Sequence, residues 1–207
     1  THEYIHTQQK EPVDNLLSYC LYEGVAEFLS SYVSKKPSNS PSISFGKANH
    51  EAVVKKFQDD MYFPRLSDWL WGENTNELKV RDLGYYIGYS ISERFLQQAP
   101  DKKEAIKQLI EMDFAKEKEI ERIVDASKIF PAKLEQMWIN YDQQRPTVIS
   151  VIPLGDKSQK LKPGILQYSI TFSEEMDINF RGFDYGPLGE DYVYELSKII
   201  GWSEDHR

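Results

Sequence analysis

The sequence predicts an α+β protein in which a mostly helical section, residues 1–145, is followed by a small β-module, residues 146–207. Capping and turn residues recur through the first section, as they do between short helices. After Arg145 the residues 147–152 (TVISVI) are β-branched and bounded by prolines, which is typical of a strand. Residues 168–172 (YSITF) alternate with period two, which predicts a second strand. We therefore expect a domain boundary near Arg145.

The helical section is expected to begin with a short helix that carries two histidines. Asp14 is predicted to cap the second helix, and a loop rich in serine and proline, residues 37–42, is predicted after it. Asp101 and Glu104 form a pattern like a capping box at the start of a later helix. The predicted helices after the first one cover residues 14–35, 49–60, 78–98, a stretch from 101 onward, 115–126 and 131–143.

Composition excludes several classes of protein. The formal net charge is -8, so the chain lacks the basic surface that meets phosphates, and we expect no nucleic-acid partner. No apolar run approaches the roughly 20 residues of a membrane span, so no transmembrane segment is expected. Cys20 is the only cysteine, which excludes an intrachain disulfide, and its apolar neighbours favour a buried, inert thiol. Composition leaves the oligomeric state open.

The first residues contain an HExxH pattern, formed by His2, Glu3 and His6. The histidines are spaced i, i+4, so on a helix they lie one turn apart on one face and can bind one zinc ion. Glu3 follows His2 directly and would reach the open side of the metal, where a water molecule binds. Its expected role is that of a general base, which takes a proton as the water attacks a carbonyl.

A catalytic zinc ion usually has three protein ligands, and the next predicted helix supplies a candidate for the third. Glu23 and Glu27 are also spaced i, i+4, so both can face the histidine helix. Their apolar neighbours indicate a largely buried helix, where a carboxylate needs a metal or a charged partner. We predict Glu23 as the third ligand and Glu27 as the acceptor that orients a zinc-binding histidine. Glu27 as the ligand is the alternative.

Three segments resemble parts of known zinc peptidases. The combination of residues 2–6 (HEYIH) and 23–28 (EGVAEF) resembles the gluzincin clan of metallopeptidases, in which the glutamate of the second segment completes the zinc site. Residues 84–91 (GYYIGYSI) are similar to a stretch in a gluzincin family of predicted zinc-dependent proteases. Together these matches extend over about residues 1–126.

The resemblance implies a zincin-like catalytic domain that hydrolyses peptide or protein substrates. It implies zinc as the cofactor, with His2, His6 and Glu23 as ligands and Glu3 as the base. Gluzincins carry a β-sheet before the motif, whose edge strand aligns the substrate, and no such sequence precedes His2. We therefore expect residues 1–145 to be the C-terminal part of such a domain.

The tyrosines of the third segment are candidates for a donor to the oxyanion that forms during hydrolysis. They are Tyr85, Tyr86 and Tyr89, and Tyr89 is selected by its place in the family-like pattern. The alternative is that all three pack beside the small residues Gly84 and Gly88. The remaining aromatic cluster, Tyr62, Phe63, Trp69 and Trp71, is expected to pack in the core, with a substrate cleft as the alternative.

The C-terminal module resembles the bacterial Ig-like modules found beside secreted enzymes. The similarity lies in residues 146–153 and in residues 170–177 (ITFSEEMD). It implies a β-sandwich, of which residues 146–207 are too few to form the whole. By association it also implies an extracytoplasmic setting, either secreted or as a lipoprotein anchored in the bacterial envelope.

Two other functions fit the same residues. The chain could be an inactive, peptidase-like surface or binding protein with a structural or vestigial zinc site, although a structural zinc needs no base such as Glu3 beside it. The same centre could also hydrolyse a non-peptide amide or ester. His50 and His206 lack ligand spacing and are expected on the surface.

Overall fold

The structure is a computed structural model that describes residues 1–63, 65–72, 77–153, 164, 167–179 and 200–207. The chain divides into two compact units, Thr1–Tyr141 and Asp142–Arg207. Its described part is mostly helical with one small antiparallel sheet, which is compatible with the predicted α+β class. The helices are α1 His2–His6, α2 Leu16–Ser34, α3 Pro41–Ala48, α4 His50–Asp60, α5 Leu83–Gln98, α6 Lys102–Ile110, α7 Glu117–Ser127 and α8 Leu134–Gln144.

Helices α2 and α5 form the centre of the first unit and share its most extensive contact. Their backbones approach closely where Gly24 of α2 meets Gly88 of α5, and a Cβ on either glycine would overlap the other helix. Large apolar side chains then close the core around this crossing point, including Leu21 and Ile87, which are fully buried. Small residues at this point therefore allow the close packing of α2 on α5.

The other helices of the first unit surround this pair. Helix α1 packs on α2 through the buried Ile5, and α3 and α7 pack on α5. Trp69 is fully buried against Phe57, and its indole N–H donates to Asp60 at 3.0 Å. The predicted core packing is therefore confirmed for Trp69, whereas Trp71 is half exposed.

The predicted cap of α2 was wrong by one residue, and helix α3 was not predicted. Helix α2 is capped by Asn15, whose side chain accepts a hydrogen bond from the Ser18 amide at 2.8 Å. Asn15 has the extended backbone of an N-cap residue, so its side chain rather than that of Asp14 faces the first turn. Helix α3 begins at Pro41, inside the predicted loop, because proline is tolerated in the first turn of a helix. Asp101 caps α6 as predicted.

The second unit contains the strands β1 Val148–Ile152 and β2 Ser169–Phe172, as expected from their sequence patterns. They pair antiparallel, with Val151 opposite Ile170 and an irregularity in register between Val148 and Ser150. Much of the predicted Ig-like module, namely residues 154–163, 165–166 and 180–199, lies outside the described residues. The two strands agree with a β-module, and the Ig-like fold stays a prediction.

The predicted boundary near Arg145 falls just after the division between the two units at Tyr141, and α8 spans that division. Among the described residues, no helix is both long enough and apolar enough to cross a membrane.

Candidate metal centre

Helices α1 and α2 each contribute side chains to a cluster of potential metal ligands. Helix α1 presents His2 and His6 on one face, and the buried Ile5 holds that helix against α2. Helix α2 presents Glu23 toward the same point, and its side chain is mostly buried. The i, i+4 spacing of the histidines and the packing of α1 on α2 together bring these three side chains together.

The potential ligand atoms form a nearly equilateral triangle. Nε2 of His2 lies 3.0 Å from Nε2 of His6. Oε2 of Glu23 lies 3.3 Å from Nε2 of each histidine. Ligands of a tetrahedral zinc ion at its usual bond lengths lie about 3.3–3.4 Å apart. The three atoms therefore fit three corners of a zinc tetrahedron, and two imidazoles with one carboxylate are a donor set that zinc prefers.

The second nitrogen of each imidazole is held by a hydrogen bond. Nδ1 of His2 donates to Oε2 of Glu27 at 3.1 Å, since a carboxylate can only accept. Nδ1 of His6 donates to Oε1 of Gln9 at 2.8 Å, while the amide nitrogen of Gln9 donates to the carbonyl of Tyr22 at 3.0 Å. Both bonds leave Nε2 as the ring nitrogen that faces the cluster, and Nε2 is the atom through which a histidine held in this way binds a metal.

The electrostatics of the cluster favour a positive charge at its centre. Hydrogen bonds to Glu23 and Glu27 raise the pKa of His2 to about 9, although burial acts in the opposite direction. The hydrogen bond from His2 lowers the pKa of Glu27, and a second bond from the Ser38 hydroxyl acts in the same direction. A proton and a metal ion would therefore compete for His2.

Two aromatic rings cover the histidines. The ring of Tyr22 stacks on His6 with centroids 4.3 Å apart. The ring of Tyr85, from α5, stacks on His2 with centroids 6.1 Å apart. Burial, and secondarily the charge of Glu23, raise the pKa of the Tyr85 phenol well above its ordinary value. Tyr85 is therefore the tyrosine of the GYYIGY segment that contacts the cluster.

Glu3 lies on the first turn of α1 and is exposed. Burial raises the pKa of Tyr22, the residue stacked on His6, and the charge of Glu3 is the last of three carboxylate charges that add to this rise. The exposed position of Glu3 agrees with a base that must meet solvent and substrate. Its catalytic role stays a prediction.

Tyr89, the predicted oxyanion donor, has other neighbours. Its ring packs edge-on against Phe28, and its hydroxyl accepts a hydrogen bond from Nζ of Lys47 at 3.3 Å. These contacts match the packing alternative, and the role of Tyr89 in catalysis stays a prediction. His50, expected on the surface, is instead half-buried, with Nδ1 2.7 Å from the hydroxyl of Tyr86.

Sequence reasoning missed two polar contributors to the centre. Gln9 lies three residues after His6, the last residue of the HExxH pattern. This i, i+3 spacing is the signal that could have identified it. Ser38 lies in the Ser/Pro/Asn loop, where no periodic pattern points to a partner. No protein-family model, curated protein or solved structure matches this chain, so the chemistry of the centre is inferred from its own side chains.

Proposed function

We propose that this chain is a zinc-dependent peptidase whose metal is held by His2, His6 and Glu23. One observation carries the proposal: two imidazole nitrogens and one carboxylate oxygen lie 3.0–3.3 Å from one another. A hydrogen bond at the other nitrogen of each imidazole fixes the orientation of the ring. Zinc bound by these donors would lower the pKa of a water molecule and polarise a substrate carbonyl.

Glu3 is the proposed general base. It accepts a proton from the attacking water and returns it to the leaving amine, which needs a carboxylate that is open to substrate. The exposure of Glu3 supports this role. In the described part of the chain, the cluster contains three candidate ligands of the His, Cys, Asp and Glu types. A structural zinc is normally closed by four protein ligands, so a set of three favours a catalytic centre.

The rest of the proposal follows the resemblance of the sequence. The helical unit would belong to a zincin-like catalytic domain, and residues 146–207 would form an Ig-like module beside it. The substrate class is a peptide or protein, and the setting is extracytoplasmic, either secreted or lipoprotein-anchored. The antiparallel pairing of β1 and β2 supports a β-module.

Zinc content and hydrolysis are measured separately to test the proposal. After incubation with zinc and removal of excess metal, the wild-type protein should retain stoichiometric zinc, and Glu23→Ala should not. Cleavage of a mixture of unlabelled peptides is followed by mass spectrometry. Glu3→Gln should keep zinc and lose hydrolysis, because the amide cannot accept the proton.

Each outcome of the zinc and hydrolysis measurements decides one part of the proposal. A wild-type protein that retains no stoichiometric zinc under metal-replete conditions rejects the ligand assignment. Peptide cleavage that persists in Glu3→Gln rejects the base. Zinc binding without peptide cleavage by the wild type favours the alternatives, a structural metal or a non-peptide amide or ester as substrate, and an ester substrate panel separates those two.

A further inference from the structure

Gln9 lies in the tight turn that follows α1. The backbone amide of Gln9 donates to the carbonyl of His6 at 3.2 Å, and that of Gln8 donates to the carbonyl of Ile5 at 2.9 Å. Side chains three residues apart lie above one another in a turn with this i, i+3 bonding. The partly buried side chain of Gln9 is therefore directed at the imidazole of His6.

Two contacts fix the orientation of the side-chain amide of Gln9. Its nitrogen donates to the main-chain carbonyl of Tyr22, on α2, at 3.0 Å. A carbonyl can only accept a hydrogen bond, so the nitrogen end of the amide faces Tyr22 and the oxygen end faces His6. Since Oε1 of Gln9 also can only accept, Nδ1 of His6 is the donor of the 2.8 Å bond between them.

These two bonds set the tautomer of His6 from the backbone of α2. A neutral imidazole with its proton on Nδ1 has an unprotonated Nε2, which is the form that binds a metal through Nε2. Nε2 of His6 is also the atom that faces Oε2 of Glu23, at 3.3 Å. The ring of Tyr22 stacks on His6 with centroids 4.3 Å apart. Tyr22 and Gln9 together therefore fix both the plane of the His6 ring and the position of its proton.

The two histidines differ in the charge of the group behind them. Nδ1 of His2 donates to the carboxylate of Glu27, whereas Nδ1 of His6 donates to the neutral amide of Gln9. The carboxylates of Glu23 and Glu27 would together balance the double charge of a zinc ion. A further carboxylate behind His6 would make its imidazole more basic and would reduce the power of the metal to polarise a carbonyl. An amide fixes the ring without that additional charge.

We propose that Gln9 is a positioning residue of the metal centre, which holds His6 in its metal-binding tautomer and adds no charge. This inference rests on the proposed zinc site, because Gln9 acts on the metal only through His6. The role of Gln9 extends the HExxH pattern of α1 by three residues.

Gln9→Met removes both hydrogen bonds and keeps a side chain of similar length. Zinc affinity is measured by competition with a chromophoric chelator, and we expect the dissociation constant to rise about 10–100-fold, the usual effect of losing a partner of a metal ligand. The visible spectrum of the cobalt(II)-loaded protein should change as well, because its bands report the geometry of the ligands. A purely structural role for Gln9 would lower the unfolding midpoint and leave that spectrum unchanged.

Gln9→Glu separates position from charge. The carboxylate keeps an acceptor for Nδ1 of His6, so this variant should bind zinc more tightly than Gln9→Met does. Its added charge should make the metal acidify water less, so the pH midpoint of the change in the cobalt spectrum should lie higher than in the wild type.

Gln8→Met is the matched control, because Gln8 is the neighbouring glutamine, is exposed, and donates to the hydroxyl of Thr7 instead. Its zinc affinity and cobalt spectrum should equal those of the wild type. An equal loss of zinc affinity in Gln8→Met and Gln9→Met would overturn the specific role of Gln9.

The failures of the two proposals are distinguishable. If the wild type binds zinc and Gln9→Met matches it in affinity and in cobalt spectrum, the inference about Gln9 is overturned and the zinc site stands. If Gln9→Glu has the pH midpoint of the wild type, the neutral charge of Gln9 has no role. If the wild type binds no zinc, the proposed site is rejected, and the positioning role is rejected with it.

Discussion

Nδ1 of His2 lies 3.1 Å from Oε2 of Glu27, and the other oxygen of Glu27 accepts a hydrogen bond from Ser38. Both oxygens of Glu27 are therefore engaged behind the histidine, while Glu23 faces the two Nε2 atoms. We expect Glu27→Ala to weaken zinc binding about 10–100-fold, because His2 loses the bond that fixes its tautomer. Glu23→Ala should abolish stoichiometric binding, because it removes a ligand. Chelator competition measures both.

Glu27→Gln separates geometry from charge at this position. It retains an acceptor for Nδ1 of His2 but lacks the negative charge, so its zinc affinity should fall between those of the wild type and Glu27→Ala. The reverse order, with tight binding in Glu23→Ala and loss in Glu27→Ala, would make Glu27 the ligand. That alternative is the one that the sequence leaves open.

The contact between Gly24 and Gly88 yields a prediction about stability. A Cβ at residue 88 would overlap the carbonyl oxygen of Cys20, which is backbone and cannot rotate away. We expect Gly88→Ala to lower the free energy of unfolding by about 1–3 kcal/mol, the usual cost of overpacking a core. Urea unfolding followed by circular dichroism measures the change.

Lys103→Ala is the control for this measurement, because Lys103 is exposed on α6. Its free energy of unfolding should stay within about 0.5 kcal/mol of that of the wild type. A Gly88→Ala protein as stable as the control would show that α2 and α5 are not in backbone contact at this point.

Cys20 is expected to be chemically inert in the folded protein. Its side chain is fully buried on α2, and burial raises the pKa of the thiol well above its ordinary value. Alkylation requires an accessible thiolate, so iodoacetamide should leave Cys20 unmodified under native conditions and label it in denaturant. Mass spectrometry after timed quenching measures the label. Rapid native labelling would contradict the buried position.

The local features of the fold follow from short sequence patterns. The spacing of His2 and His6, and that of Glu23 and Glu27, already predicts that each pair shares a helix face. The cap at Asp101 depends only on its own neighbours in the chain and was predicted correctly. The packing of α1 on α2 brings these two faces together. Zinc binding between them is the function that we propose.

Features that depend on tertiary contact could not be predicted in the same way. Tyr85 and Tyr89 are spaced i, i+4 on α5, so periodicity places them on one face and cannot choose between them. The choice depends on the aromatic ring that each one meets across the helix contact: His2 of α1 for Tyr85 and Phe28 of α2 for Tyr89. The indole N–H of Trp71 donates a hydrogen bond to the hydroxyl of Tyr85. This bond depends on a left-handed backbone at Trp71, which no local sequence preference indicates.

His50, which lies away from the metal centre, makes the stability of the folded protein depend on pH. Burial, and secondarily the charge of Arg94, lower the pKa of His50 below the ordinary 6.5, while Glu51 acts in the opposite direction. As the pH falls through about 6.5, the unfolded chain binds this proton before the folded one does, so the contribution of His50 to stability is full above that pH and decreases below it. Urea unfolding of the wild type and of His50→Gln at about pH 7.5 and about pH 5.5 isolates this contribution. The wild type should lose more stability than the variant on acidification, and equal losses would show that His50 titrates alike in both states.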